Sequence, residues 1–149
     1  MRTVANIIQN KPPVFNFIAP DAKIIEALQL MNSVNLSYLV VQNHEGFHGI
    51  FSERDYSRKV ILKGLHSDTN LVKEAMSTDL PMVGLQDTVE HCMELLNTHK
   101  TRYLIVFSQN AFAGVVTIND VLREALSNKE MVFDDLYIKT TIDLQDKIF

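Results

Sequence analysis

Two stretches of the chain carry residue types that could do chemistry. They are Gly49-Ile50-Phe51-Ser52-Glu53-Arg54-Asp55 and, 65 positions later, Gly114-Val115-Val116-Thr117-Ile118-Asn119-Asp120. Each places a glycine, a hydroxyl three residues on and an aspartate three residues after that. Ser or Thr followed at the third position by an acid is a capping box, in which the hydroxyl accepts an amide proton of the first helical turn and the acid reaches back to the cap amide. Two details go beyond a cap. The box prefers Glu or Gln, whereas both stretches use the shorter Asp. Both also keep a glycine on the preceding strand, where a missing side chain allows close approach to the backbone. A carboxylate at a helix start can accept both hydroxyls of a vicinal diol such as a ribose, and the neighbouring hydroxyl and helix amides can take a phosphate or sugar oxygen. A plain cap and a ligand site are both open on this evidence.

The elements that must position these residues are written twice. Shifting the chain by 65 residues aligns Phe17–Gly64 with Met82–Lys129 without a gap, and nine of the 48 pairs are identical. About three would match by chance, so the pattern is a duplication. The pairs include Tyr38/Tyr103, Leu39/Leu104, Val41/Val106, Gly49/Gly114, Asp55/Asp120 and Arg58/Arg123. Each half reads as strand, helix, strand, hairpin, strand, helix. The runs VFNFI and PMVGL are short strands. Apolar residues near helical spacing (Ile24, Ile25, Leu28, Leu30, Met31, and Val89, Cys92, Met93, Leu95, Leu96) mark a helix in each half, the first with Asp21 placed to cap it. SYLVVQ and RYLIVFS have the composition of buried strands. Upstream, TVANII matches LVKEAM with a three-residue insertion, giving each half a lead-in helix. The fold class expected is α+β: two βαββα repeats, 1–70 and 71–149, packed through their sheets with pseudo-twofold symmetry.

Composition excludes several function classes. The net charge of −4 argues against a nucleic-acid binder. A single cysteine, Cys92, excludes an intramolecular disulfide and suits a reducing compartment. No apolar run reaches the ~18–20 residues of a membrane span, and the N-terminus lacks a long apolar core of a signal peptide, so a cytoplasmic location is expected. The five histidines include no His-x3-His pair with nearby ligands, so no metal site is expected. Cys92 lies on an apolar helix stripe and aligns with Ala27, which reads as core, and no catalytic base, nucleophile or metal set is found. Arg54 with Arg58 and Lys59 with Lys63 are spaced by four, placing each pair on one side of a helix. Met131, Val132, Phe133, Leu136, Tyr137 and Ile138 suit an amphipathic helix up to about Lys139 that packs on its own lobe or on a second copy.

On the residues GIFSERD and GVVTIND, the chain resembles a tandem pair of cystathionine β-synthase (CBS) domains, a Bateman module, and specifically the small bacterial stand-alone pairs. The likeness extends over about residues 3–128. It implies a non-catalytic regulatory module, often a homodimer, that binds adenine nucleotides or adenosyl ligands (AMP, ADP, ATP, NAD or S-adenosylmethionine) in clefts between the repeats and signals to a regulated protein. It implies that Asp55 and Asp120 hold ribose hydroxyls and that Ser52 and Thr117 contact ribose or phosphate. Arg102 keeps a position that often contacts phosphate in the family, where Ser37 stands in the first repeat. The prolines of the family's Arg-His-Leu-Pro-Val pattern are missing from both repeats. The site of Thr117, Asp120 and Arg102 is therefore favoured. Arg54 and Arg58 would face the shared cleft and offset phosphate charge, or line a solvated helix face. Met76 would line an adenine pocket or pack in the core. A protein-interaction scaffold with decayed ligand sites is the alternative reading.

Overall fold

The computed structural model describes residues 2–12 and 16–127, so the tail helix expected up to about residue 139 lies outside the described residues. The chain folds into two compact units, one of Val14–Asp79, the other of Met1–Pro13 with Leu80–Phe149. The division into repeats at 70/71 is one of sequence; packing groups the chain differently, because each lead-in segment packs on the other half: α1 (Val4–Gln9) lies on strand Ala111–Thr117 and helix Ile118–Ser127 of the second half, and Ser77 bridges to Ile50 of the first.

The Val14–Asp79 unit contains β1 (Phe17–Ile18), α2 (Ile24–Val34), β2 (Tyr38–Asn43) and β3 (Gly46–Ser52). A three-residue helix, α3 (Glu53–Asp55), continues as a π-helix over Tyr56–Ile61, and a 3₁₀ turn occupies Val72–Glu74. The other unit contains α1 (Val4–Gln9), β4 (Met82–Val83), α4 (Val89–His99), β5 (Tyr103–Ser108), β6 (Ala111–Thr117) and α5 (Ile118–Ser127). Each unit has a three-stranded mixed sheet, β1-β2-β3 or β4-β5-β6, with the outer short strand parallel and the hairpin antiparallel. The expected α+β class and the two repeats are thus present.

Burial follows the sequence periodicity. Ile24, Ala27 and Met31 of α2, with Leu28 packed beside them, recur at the spacing of one helix face and meet Leu39, Val41 and Phe51 of the sheet. Val89, Cys92, Met93 and Leu96 of α4 repeat this against Leu104, Val106 and Val116. The small Ala27 and Cys92 occupy equivalent, fully buried places on the core faces of the two helices. Both helices end on a left-handed residue, again at equivalent positions: Asn35 (φ 55°) and Lys100 (φ 50°). The next amides close the turn, Leu36 N–H on the Met31 carbonyl at 3.1 Å and Thr101 N–H on that of Leu96 at 3.2 Å.

The start of α2 differs from expectation. Asp21 does not cap it; the cap position is Lys23, whose N–H donates to Glu26 Oε2 at 2.8 Å. Asp21 instead accepts from Lys73 at 2.9 Å, and that bond holds its carboxyl below the usual carboxylate range. Asp21 stands two residues before the cap position, Lys23, too far for its side chain to serve the first turn. In α4 the cap is Thr88, whose Oγ1 accepts from His91 N–H at 3.0 Å.

Both hairpins carry a β-bulge just before the motif glycine: the register shifts at Val41/Gln42 and at Val106/Phe107. Such a bulge adds twist and re-aims the returning strand, here toward the helix that follows. The motif glycines admit the chain itself. A Cβ on Gly49 would lie 2.5 Å from the Ser77 carbonyl oxygen, with Met76 Sδ at 3.4 Å. At that point Ile50 and Ser77 exchange backbone hydrogen bonds of 3.0 and 2.8 Å. Gly114 has φ +147°, and Ile8 Cδ1 of α1 stands 3.2 Å from where its Cβ would be. Ile8 and Met76 are counterparts in the lead-in alignment, so each glycine receives the same lead-in residue.

Two outcomes follow. Gly49→Ala forces the Ser77 backbone away and lowers stability by about 1–3 kcal/mol, read as a lower urea midpoint. Asn35→Ala costs about 1 kcal/mol, because alanine tolerates the left-handed region less well than asparagine, whereas Asn35→Gly holds or raises stability; the same titration ranks the three proteins.

Candidate functional site

The two motif aspartates occupy the third position of the helix after β3 and after β6. In the Val14–Asp79 unit, the capping box is complete. Ser52 Oγ accepts from Asp55 N–H at 3.2 Å, and Asp55 Oδ2 accepts from Ser52 N–H at 2.9 Å and from Ser52 Oγ at 3.0 Å. The other oxygen, Oδ1, accepts from Ser77 Oγ at 2.6 Å and pairs with Lys59 Nζ at 3.0 Å. A carboxylate offers about four acceptor positions, and Asp55 fills four. Lys59 is equally occupied: besides Asp55 it donates to the Met76 carbonyl at 3.2 Å and to Ser77 Oγ at 3.1 Å, using all three ammonium donors.

The second site is built alike but filled differently. Thr117 Oγ1 accepts from Asp120 N–H at 3.1 Å, and Asp120 Oδ2 accepts from Thr117 N–H at 2.9 Å. The same Oδ2 receives Lys11 Nζ at 2.7 Å, and Lys11 also donates to the Val115 carbonyl at 2.8 Å. Oδ1 meets Arg123 Nη1 at 3.4 Å, a long contact from an exposed guanidinium. Both aspartate side chains are largely sequestered, 6% exposed for Asp55 and 10% for Asp120. Among the described residues, Asp120 Oδ1 meets Arg123 alone and retains acceptor capacity, which Asp55 lacks.

The structure therefore joins Ser52 with Asp55 and Thr117 with Asp120, as the motif spacing implies. Arg54 lies half-buried on α3 and Arg58 is exposed on the π-helical turn. Lys59 and Lys63 do not share a helix face. The π-helix ends at Ile61, Lys63 lies past it, and Lys59 turns inward to Asp55. The cause is the wider turn, closed by Leu62 N–H on the Ser57 carbonyl at 3.3 Å, which breaks four-residue periodicity. Arg102 is half-buried just before β5, and its backbone carbonyl accepts from Ile118 N–H at 2.9 Å. Met76 is half-buried and packs on the first core cluster.

Sequence reasoning missed Lys11 and Ser77 altogether. A lysine four residues after Asp55 was a readable signal for the first pair. Nothing local links Lys11 to Asp120, which stand 109 residues apart. The counterpart of Lys59 in the second repeat is Glu124, which pairs with Arg2 at 3.3 Å. The two lysines thus reach equivalent carboxylates from non-equivalent positions. Cys92 is buried in the core, and burial, aided by the charge of Asp87, pushes its thiol up to about 12, so it offers no thiolate near neutrality. Among the described residues, no group of three or more His, Cys, Asp or Glu side chains is placed to hold a metal ion, and no helix is long and apolar enough to cross a membrane.

This geometry has relatives. The chain is 29% identical over 108 residues to the mitochondrial CBS domain-containing protein CBSX3 of Arabidopsis thaliana, covering 69% of this chain and 52% of that protein, so it spans about half the length of that relative. A solved CBS-domain structure, NE2398, is 33% identical with a TM-score of 0.78, covering 85% of this chain and 98% of that one. The structure of CBSX2 in complex with AMP shares the fold at 24% identity, TM-score 0.68, covering 85% and 97%. The CBS-domain family model matches residues 4–61 and again 72–127, the two stretches that end on the helices carrying Asp55 and Asp120. This chain belongs to the CBS domain family, as a tandem pair similar to small stand-alone CBS-pair proteins.

Proposed function

We propose that this protein is a non-catalytic regulatory module that binds an adenine nucleotide or a related adenosyl ligand, with the principal site at Thr117, Asp120 and Arg102. The observation that carries this reading is that, among the described residues, Asp120 Oδ1 keeps acceptor capacity beside a lysine and an arginine. A sugar diol supplies hydroxyl donors for the carboxylate, and a phosphate supplies an anion for the cations. The AMP complex of CBSX2 supports adenine nucleotides as the ligand class for this fold. Binding acts by population shift: a ligand that prefers one conformation raises its share, and a regulated protein responds to that conformation.

One observation favours the scaffold reading for the first repeat. Asp55 has no acceptor position left, its lysine has no donor left, and Ser37 stands where the second repeat has Arg102. On this reading Ser52, Asp55, Arg54, Arg58 and Met76 form a structural junction, and one ligand binds per chain.

A melting screen with AMP, ADP, ATP, NAD and S-adenosylmethionine tests the proposal. At least one ligand raises Tm with concentration as mass action requires, about 2.7 kcal/mol of added stability at a hundredfold excess over Kd. Asp120→Asn abolishes the shift while costing no more than ~2 kcal/mol of intrinsic stability, the range of a lost cap, and Asp55→Asn leaves the shift intact. No shift with any of the five ligands defeats the adenosyl reading.

A further inference from the structure

We propose that Lys11 makes the Asp120 site select a phosphorylated riboside over an uncharged or cationic one. The inference rests on the reading of Asp120 as a diol-binding group and adds a requirement for an anion on the ligand.

Lys11 follows α1, and its ammonium is pinned by two fixed acceptors, Asp120 Oδ2 at 2.7 Å and the Val115 carbonyl at 2.8 Å. An ammonium has three donors, so one is left for an outside acceptor. Oδ2 is taken up by Lys11 and the Thr117 amide. Ligand hydroxyls must therefore come to Oδ1, and Lys11 stays in place beside the bound sugar. The local charge is one carboxylate against two cations, Lys11 and Arg123 (−1 + 2 = +1). Glu124, next along α5, does not cancel the excess because it is engaged by Arg2. The Lys11 side chain is 25% exposed, sheltered enough that water screens its charge less than at an open surface.

Phosphate satisfies the third donor and the surplus charge together, by charge-assisted hydrogen bonds about twice as strong as neutral ones. Adenosine brings no anion. S-adenosylmethionine carries a carboxylate, but its sulfonium and ammonium outweigh it, so it brings a net positive charge to a cationic cluster. The first repeat lacks this selectivity device, since the donors of Lys59 are all spent within the protein.

Calorimetric titration of the full chain with AMP, adenosine and S-adenosylmethionine tests the inference. AMP binds at least ~10-fold tighter than adenosine, and S-adenosylmethionine binds most weakly. Lys11→Met lowers AMP affinity by about 10-fold and adenosine affinity by much less, so the preference for AMP shrinks, and Lys11→Arg restores it. If adenosine or S-adenosylmethionine matches AMP on the unmodified protein, or if Lys11→Met weakens AMP and adenosine alike, the selectivity role is overturned while the adenosyl-binding reading stands. If none of the three binds, the selectivity role falls, and the adenosyl reading stands or falls on the melting screen with ADP, ATP and NAD.

Discussion

Each half of this molecule is organised around a sequestered carboxylate one turn into a helix, bonded back to the amide that starts that helix. Three things meet there: the end of the returning strand, the first turn of the helix and the lead-in segment. Asp55 accepts from Ser52 behind it and from Ser77 and Lys59 beside it. Asp120 accepts from Thr117 and from Lys11. The first amides of a helix have no partner within the helix, and a short acid at the third position serves one of them while its second oxygen is still presented outward. That outward oxygen fastens the lead-in segment in the first unit. In the second unit, the lead-in segment is held by the inner oxygen, and the outer one keeps room.

The duplication preserved backbone geometry more faithfully than side-chain chemistry. The left-handed residues at Asn35 and Lys100, the bulges before Gly49 and Gly114 and the small residues Ala27 and Cys92 all fall at matching positions. Backbone geometry is constrained by packing on every side and tolerates little drift. The counter-cation is not so constrained. A lysine ammonium on a flexible stem can reach a given carboxylate from several directions, so Lys59 comes from the same helix and Lys11 from a distant segment. One consequence is a saturated carboxylate in one half and an unsaturated one in the other.

Several departures from the sequence reading share a cause. The spacing Lys59/Lys63 implied a basic face only if the helix kept four-residue periodicity, and the π-helical turn over Tyr56–Ile61 removed it. Asp21 had the residue type of a cap but stands two residues too early. The strand glycines were read as openings for some approaching group, and in this structure they are met by the chain's own Ser77 and Ile8. For Asp21 and the strand glycines the local signal was sound as residue chemistry, and the partner came from a segment remote in sequence, whereas the lysine spacing was undone by the turn itself.

Sequence by itself determined the repeat, the order of elements, the helix stripes that bury Ile24, Met31, Val89 and Leu96, and the pairing of Ser52 with Asp55 and Thr117 with Asp120. Those features depend on periodicity and on contacts within a few residues, which a linear chain displays directly. Tertiary structure alone decided that α1 packs on β6 and α5 of the second half, that Lys11 rather than a helix neighbour meets Asp120, and that Asp55 has no acceptor position left. Each of these is a count of partners contributed by residues remote in the chain, and the spacing of residues along a sequence carries no record of which distant donor arrives at a given oxygen.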